Sequence, residues 1–190
     1  FHVPSLGVRG LRVSTSNRTV RLSNLALRDA RFKLATAEGD AHSNLTNLLN
    51  SLTGNDTTAA GEDWTIRCTR FDITGFHFSF HDANVEVKPF GVDFEHIDIP
   101  NAAIQGYQLE AIGDSISAML ERARFTERSG FRVNGLSGLA HVSSSGVVVE
   151  GMDLRTPRSR ARGELKLLST GWADFSDFTT QVQMRADLDS

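Results

Sequence analysis

The sequence predicts a mainly β protein: an elongated, curved antiparallel sheet, groove-like in the manner of a β-taco, with one short amphipathic helix near residues 43–53. Three observations predict it. An apolar spacing at offsets 0, 2, 5 and 7 recurs along the chain, the runs between copies alternate in hydrophobicity, and a single segment has clean helical periodicity.

The copies are Leu6, Val8, Leu11, Val13; Val20, Leu22, Leu25, Leu27; Ile66, Cys68, Phe71, Ile73; Val92, Phe94, Ile97, Ile99; and Val147, Val149, Met152, Leu154. A partial sixth is Phe131, Val133, Leu136, Gly138. On a helix the four offsets fall at roughly 0°, 200°, 140° and 340°, which no single face holds. On a strand the first two share a face and so do the last two, but the odd step between them flips the side chains. Something in each copy must restore the face, and a bulge or tight bend does so. The residues between the pairs suit that role: Arg9-Gly10, Ser23-Asn24, Thr69-Arg70, Glu95-His96 and Glu150-Gly151. Each copy therefore reads as two half-strands that keep one apolar face across a bend.

The copies start at 6, 20, 66, 92, 131 and 147, so this is no fixed-period solenoid. Further strands are expected at Phe76–Phe80, Val85–Val87, Tyr107–Glu110, Leu165–Leu167 and Val182–Met184, about a dozen or more in all. Ile112–Arg124 lacks an apolar stripe and reads as strand. Leu45, Leu48, Leu49 and Leu52 recur at i, i+3, i+4 and i+7 between Ser43, a fitting N-cap, and Gly54, a fitting stop, and define the short helix. The polar stretch 55–63 reads as a flexible loop. The whole of 1–190 is expected to be one β-rich segment.

Composition narrows the function classes. The 190 residues carry 20 Lys+Arg against 23 Asp+Glu, a net charge of −3, which argues against a nucleic-acid partner. One cysteine excludes an internal disulfide framework and a Cys-rich zinc site. The first residue is Phe1, and no signal peptide or long apolar run follows, so the chain is expected to be soluble as it stands and cut from a longer protein. His77, His81 and His96 lie near Asp82, Asp93, Glu95 and Asp98, but strand alternation sets His77 and His81 opposite the Phe residues, on a surface face. No catalytic motif, metal site or cofactor site is expected. Cys68 occupies an apolar position of the repeat and reads as a buried structural thiol. The run Arg155, Arg158, Arg160, Arg162 reads as a solvated strand face. Asn17, Asn44 and Asn55 begin three-letter glycosylation sequons.

Two segments, Glu127-Arg128-Ser129-Gly130-Phe131 and Met152-Asp153-Leu154-Arg155-Thr156-Pro157-Arg158-Ser159, resemble the TamB / AsmA-like translocation and assembly module proteins of Gram-negative envelopes, in particular their Bacteroidetes branch. Phe94–Ile99 and Leu22–Leu34 are similar to that family too, and the likeness runs over residues 6 to 185. What the resemblance implies is a periplasmic stretch of a very long protein anchored by one inner-membrane helix. Its bent strands would form an apolar groove carrying phospholipid acyl chains between inner and outer membranes, in support of outer-membrane biogenesis. The far end would dock with an outer-membrane barrel of the Omp85 type, and no enzyme activity is implied. Neither the anchor helix nor the docking region is recognisable in these residues.

Under that reading the groove is lined by Val20, Leu22, Leu25, Leu27, Ile66, Phe71, Ile73, Phe76, Phe78, Phe80, Val92, Phe94, Ile97, Ile99, Val147, Val149, Met152 and Leu154. The competing reading is a structural or adhesive extracytoplasmic β domain, whose apolar face is a closed core without a transport role. An enzyme on a β-helix scaffold comes third.

Overall fold

The computed structural model describes residues 2–40, 64–171 and 182–188. These form eleven strands: β1 (Ser5–Arg9), β2 (Arg12–Ser14), β3 (Thr19–Arg28), β4 (Arg31–Thr36), β5 (Thr65–Asp82), β6 (Asp98–Ile112), β7 (Ser115–Thr126), β8 (Arg132–Ser143), β9 (Gly146–Arg155), β10 (Arg160–Leu168) and β11 (Gln183–Leu188). All belong to one open, curved sheet in the order β1-β3-β5-β6-β7-β8-β9-β10-β11, with β2 also on β3 and β4 also on β5. The mainly β class is as the sequence predicts. No helix occurs among the described residues, and the segment expected to be helical at 43–53 lies outside them, as does the loop expected at 55–63.

The sheet is antiparallel as expected except around β5, which makes it mixed. From β5 to β11 every neighbouring pair is antiparallel, but β3 and β4 both run parallel to β5. The reason is a continuation: after β3 the chain passes Asp29 and Ala30 and resumes as β4 in the same direction. β3 pairs with the first part of β5 and β4 with the last part, from His77 to Asp82. Returning to the start of β5 then takes a crossover of the length that parallel neighbours require.

Two expectations are corrected between β5 and β6. Val85–Val87 is not a strand, and Val92, Phe94 and Ile97 do not form a bent one; the sheet resumes only at Asp98. Side-chain hydrogen bonds take over here. The Asp93 carboxylate accepts from the Lys88 amide (2.8 Å) and the Glu95 amide (3.2 Å), and His96 reaches it with Nδ1 at 2.9 Å. The segment thereby becomes a capped loop laid along the end of β5, where the Phe80 amide donates to the Ile97 carbonyl at 2.8 Å. Ile112–Arg124 is strand as expected, broken by a turn at Gly113-Asp114 that separates β6 from β7.

The bends appear where the spacing requires them. Gly10, between β1 and β2, has φ +65°, and Gly151, in the middle of β9, has φ +57°. Glycine enters this left-handed region without the Cβ clash that penalises other residues. Between them the bend crosses the sheet as shifts in strand register, at Tyr107/Glu110, Leu120/Ala123, Ser137/Leu139 and Gly163/Leu165. One residue more on one strand than on its partner is what a bulge supplies, and it returns the next side chain to the original face.

Candidate functional site: one apolar face across the sheet

Residues directly opposite each other on neighbouring strands share a face, so the register shows which side chains are gathered together. β3 and β5 match copy for copy: Val20 with Ile66, Leu22 with Cys68, Leu25 with Phe71, Leu27 with Ile73. The same β3 residues meet the first copy in the antiparallel sense, Leu27 with Leu6, Leu25 with Val8 and Val20 with Val13. Both senses fit because 0, 2, 5, 7 reads identically from either end.

The rows continue past the residues singled out from the sequence. On β6, Ile104, Gly106, Leu109 and Ala111 stand opposite Ile73, Phe71, Cys68 and Ile66. On β7, Ile116, Leu120 and Ala123 follow, joined on β8 by Val142, Gly138 and Leu136, with Ala118 opposite Ala140. β8 hands the rows to Val147, Val149 and Leu154 of β9, and β10 carries them on through Ala161, Gly163, Leu165 and Leu167. β6 repeats the 0, 2, 5, 7 spacing with Gly106 and Ala111 in place of large apolar residues, whereas β10 alternates without a break, its extra residue being carried by β9.

Of the residues expected to line the groove, those of β3, β5 and β9 are brought onto this one face. Phe76, Phe78 and Phe80 extend it: Phe76 lies opposite Ala102, Phe78 opposite Ile99 and Phe32, and Phe80 opposite Leu34. Phe32 and Phe78 stack with ring centroids 6.2 Å apart. Val92, Phe94 and Ile97 sit apart in the capped loop, and Phe94 is 41% exposed.

Burial on this face depends on distance from the bend. On β5, Cys68 and Phe71 flank the bend and are 2% and 6% exposed, whereas Ile66 further out is 40% exposed. On β9 the flanking pair Val149 and Met152 is buried, and on β7 Ala118 is buried while Ile116 is exposed. Strands that fold toward their apolar side crowd the side chains next to the bend and leave the outer ones open. The apolar face is therefore the inner side of the curve. The opposite face carries Arg21, Arg67, Glu110, Ser117, His141, Val148, Lys166 and Arg185 along a single row, with Tyr107, Met119 and Leu139 along the next.

A cavity of about 520 Å³ lies along the bend where β1, β3, β5 and β6 cross it. Its wall mixes Val8, Leu25 and Phe71 with Arg9, Asn24, Arg70, Asp72, Gln105 and Glu121.

Cys68 is buried at its apolar position, as the repeat predicts, and its thiol donates to the Arg70 carbonyl at 2.9 Å, spanning the bend. Burial pushes the thiol pKa up, and the hydrogen bonds it makes only partly offset that.

The histidines divide. His77 is half-exposed and bonds Asp98 at 2.7 Å, while His81 is exposed. His96 is 3% exposed: Nδ1 faces Asp93 and Nε2 faces the Asp82 carbonyl, both at 2.9 Å. It is a structural pin for the capped loop, and its ring meets His81 edge-on with centroids 4.6 Å apart. Among the described residues no three His, Cys, Asp or Glu side chains converge closely enough to hold a metal ion.

The basic run is exposed on the polar face, as expected, but organised. Arg155 and Arg160 stand directly opposite each other and both bond Asp153, with Arg162 3.8 Å from the same carboxylate. The Arg160 and Arg155 guanidiniums hold the Asp153 carboxyl well below the usual range.

Fold and site together define a class: among the described residues, one β-sheet with a continuous apolar face and a more polar, mixed opposite face. Comparison with known proteins finds no matching family model, no matching curated protein and no matching solved structure.

Proposed function

We propose that this chain is a stretch of an open apolar trough that holds phospholipid acyl chains, within an envelope-spanning protein that moves phospholipid between inner and outer membranes and supports outer-membrane biogenesis. The observation that carries this reading is the unbroken apolar face running from β1 to β10 with no second layer over it among the described residues. A sheet face of that extent gains stability only when water leaves it. An acyl chain laid along it gains about 0.8 kcal/mol per buried CH₂ and needs no specific polar contact. The likeness of Glu127–Phe131 and Met152–Ser159 to the translocation and assembly module family supports the same reading. By that likeness the parent is a periplasmic, inner-membrane-anchored protein that docks with an Omp85-type barrel. No helix among the described residues is long and apolar enough to cross a membrane.

The test is photocrosslinking to phospholipid in cells that express the chain. A photoreactive residue at Ile73 or Phe78 on the inner face should capture lipid, and one at Glu110 on the outer face should not. Equal capture from both faces, or none from the inner face, overturns the proposal.

A further inference from the structure

Where β6, β7 and β8 lie side by side beyond the bend, the outer face holds a second arginine set. Arg122 and Arg124 alternate along β7 with Thr126 next on the same face, Thr126 stands opposite Arg132 of β8, and Asn134 follows Arg132 two residues on. On the other flank Arg124 stands opposite Ala103 of β6, with Asn101 two residues before it. These side chains border a cleft of about 400 Å³ whose wall includes Asn101, Ala103, Arg122, Arg124, Arg132 and Asn134. Ala103, opposite Arg124, presents only a methyl group to the cleft. All three arginines are exposed.

What distinguishes this set is the lack of a carboxylate. One strand further on, Arg155, Arg160 and Arg162 gather around Asp153. Among the described residues, none of Arg122, Arg124 and Arg132 comes within ion-pair distance of an acid. Arg132 is one same-face step from Arg124 across the β7–β8 pair and two from Arg122, yet all three line the one cleft, where their positive charges repel one another unless an anion lies between them. Guanidinium forks match phosphate geometry in paired hydrogen bonds, and the asparagine amides supply further donors.

We propose that the Arg122–Arg124–Arg132 cleft is a binding site for a phosphate group. It lies on the face opposite the apolar one, so it stands independently of the lipid-trough reading. The net charge of −3 gives the chain no general attraction for anions, which makes such affinity a property of the cleft.

The experiment uses the full chain at low ionic strength with two probes. Inorganic phosphate is titrated calorimetrically, and phosphatidylcholine vesicles with and without phosphatidic acid are tested by co-flotation. Saturable phosphate binding that Arg124→Gln and Arg132→Gln each weaken about tenfold supports a site for free phosphate. Flotation only with phosphatidic acid, abolished by the triple Gln variant, supports the same site with a lipid headgroup as the source. Arg155→Gln, in the set already held by Asp153, should leave either signal within about twofold. No binding of either probe, or binding retained by a triple variant whose circular dichroism matches the parent, overturns the proposal.

Discussion

Asp29 and Gly75 face each other where β3 gives way to β4, and both have positive φ, 55° and 66°. The Asp29 amide donates to the Thr74 carbonyl at 2.9 Å, and the His77 amide donates to the Ala30 carbonyl at 2.9 Å, so the parallel pairing survives the interruption. A β-carbon on Gly75 would run into the Asp29 carboxylate. Gly75→Ala is expected to cost about 1–3 kcal/mol, combining left-handed strain with that collision. Adding Asp29→Gly should recover part of the loss. Urea denaturation of the two single variants and the double variant measures it.

The burial gradient separates folding from lipid contact. Val149, 5% exposed beside the bend, should not accept a charge: Val149→Asp is expected to destabilise by several kcal/mol. Ile116, 46% exposed on the same face, should accept one at about 1 kcal/mol or less. Under the trough proposal Ile116→Asp nevertheless lowers phospholipid crosslinking from a probe at Ile73. An Ile116→Asp chain that is folded and crosslinks lipid like the parent would count against the trough.

The capped loop should loosen in acid. Burial opposes ionisation of Asp93, but the Lys88 amide, the His96 side chain and the Glu95 amide outweigh it and hold the carboxyl below its ordinary range. A carboxyl whose folded pKa is depressed stabilises the fold fully above its unfolded value of about 4, and that contribution is lost as pH falls through the folded value. Amide hydrogen exchange of residues 88–97 is therefore expected to accelerate below about pH 4. Asp93→Asn should exchange quickly at neutral pH and lose this acid dependence.

Cys68 should be a reporter of unfolding. Its thiol is 2% exposed, its pKa is raised by burial, and its proton is given to the Arg70 carbonyl. A thiol reagent at neutral pH is expected to label it only as fast as the sheet opens. Labelling at the rate of a free thiol in native buffer would show that the bend opens locally.

Most of the sheet is legible in the sequence because one face is apolar and the bends are marked by polar and small residues. The copies on β3, β5 and β9 were found for that reason. The copy on β6 is hidden, since Gly106 holds an apolar-face position with no side chain to count, and β10 carries no copy because its face alternates without a bend. The Val92–Ile99 copy has the right spacing but yields to the hydrogen bonds of Asp93 and His96, which periodicity does not weigh. The parallel β3–β5 pair was invisible because the spacing reads alike in either direction, so only the long crossover marks it. The Arg122–Arg124–Arg132 cleft leaves no run in the sequence because its arginines sit on two strands, whereas Arg155 to Arg162 lie close together along the chain.

The reversible spacing also bears on how such a sheet is able to grow. β3 receives a neighbour running against it on one flank and a neighbour running with it on the other, without shifting a row or moving a bend. A bent strand whose spacing is not symmetric would, when reversed, set its bend out of line with its neighbour's. Here a new strand docks in whichever orientation its connection allows, so a gene that duplicates such units lengthens the molecule without having to redesign its interior.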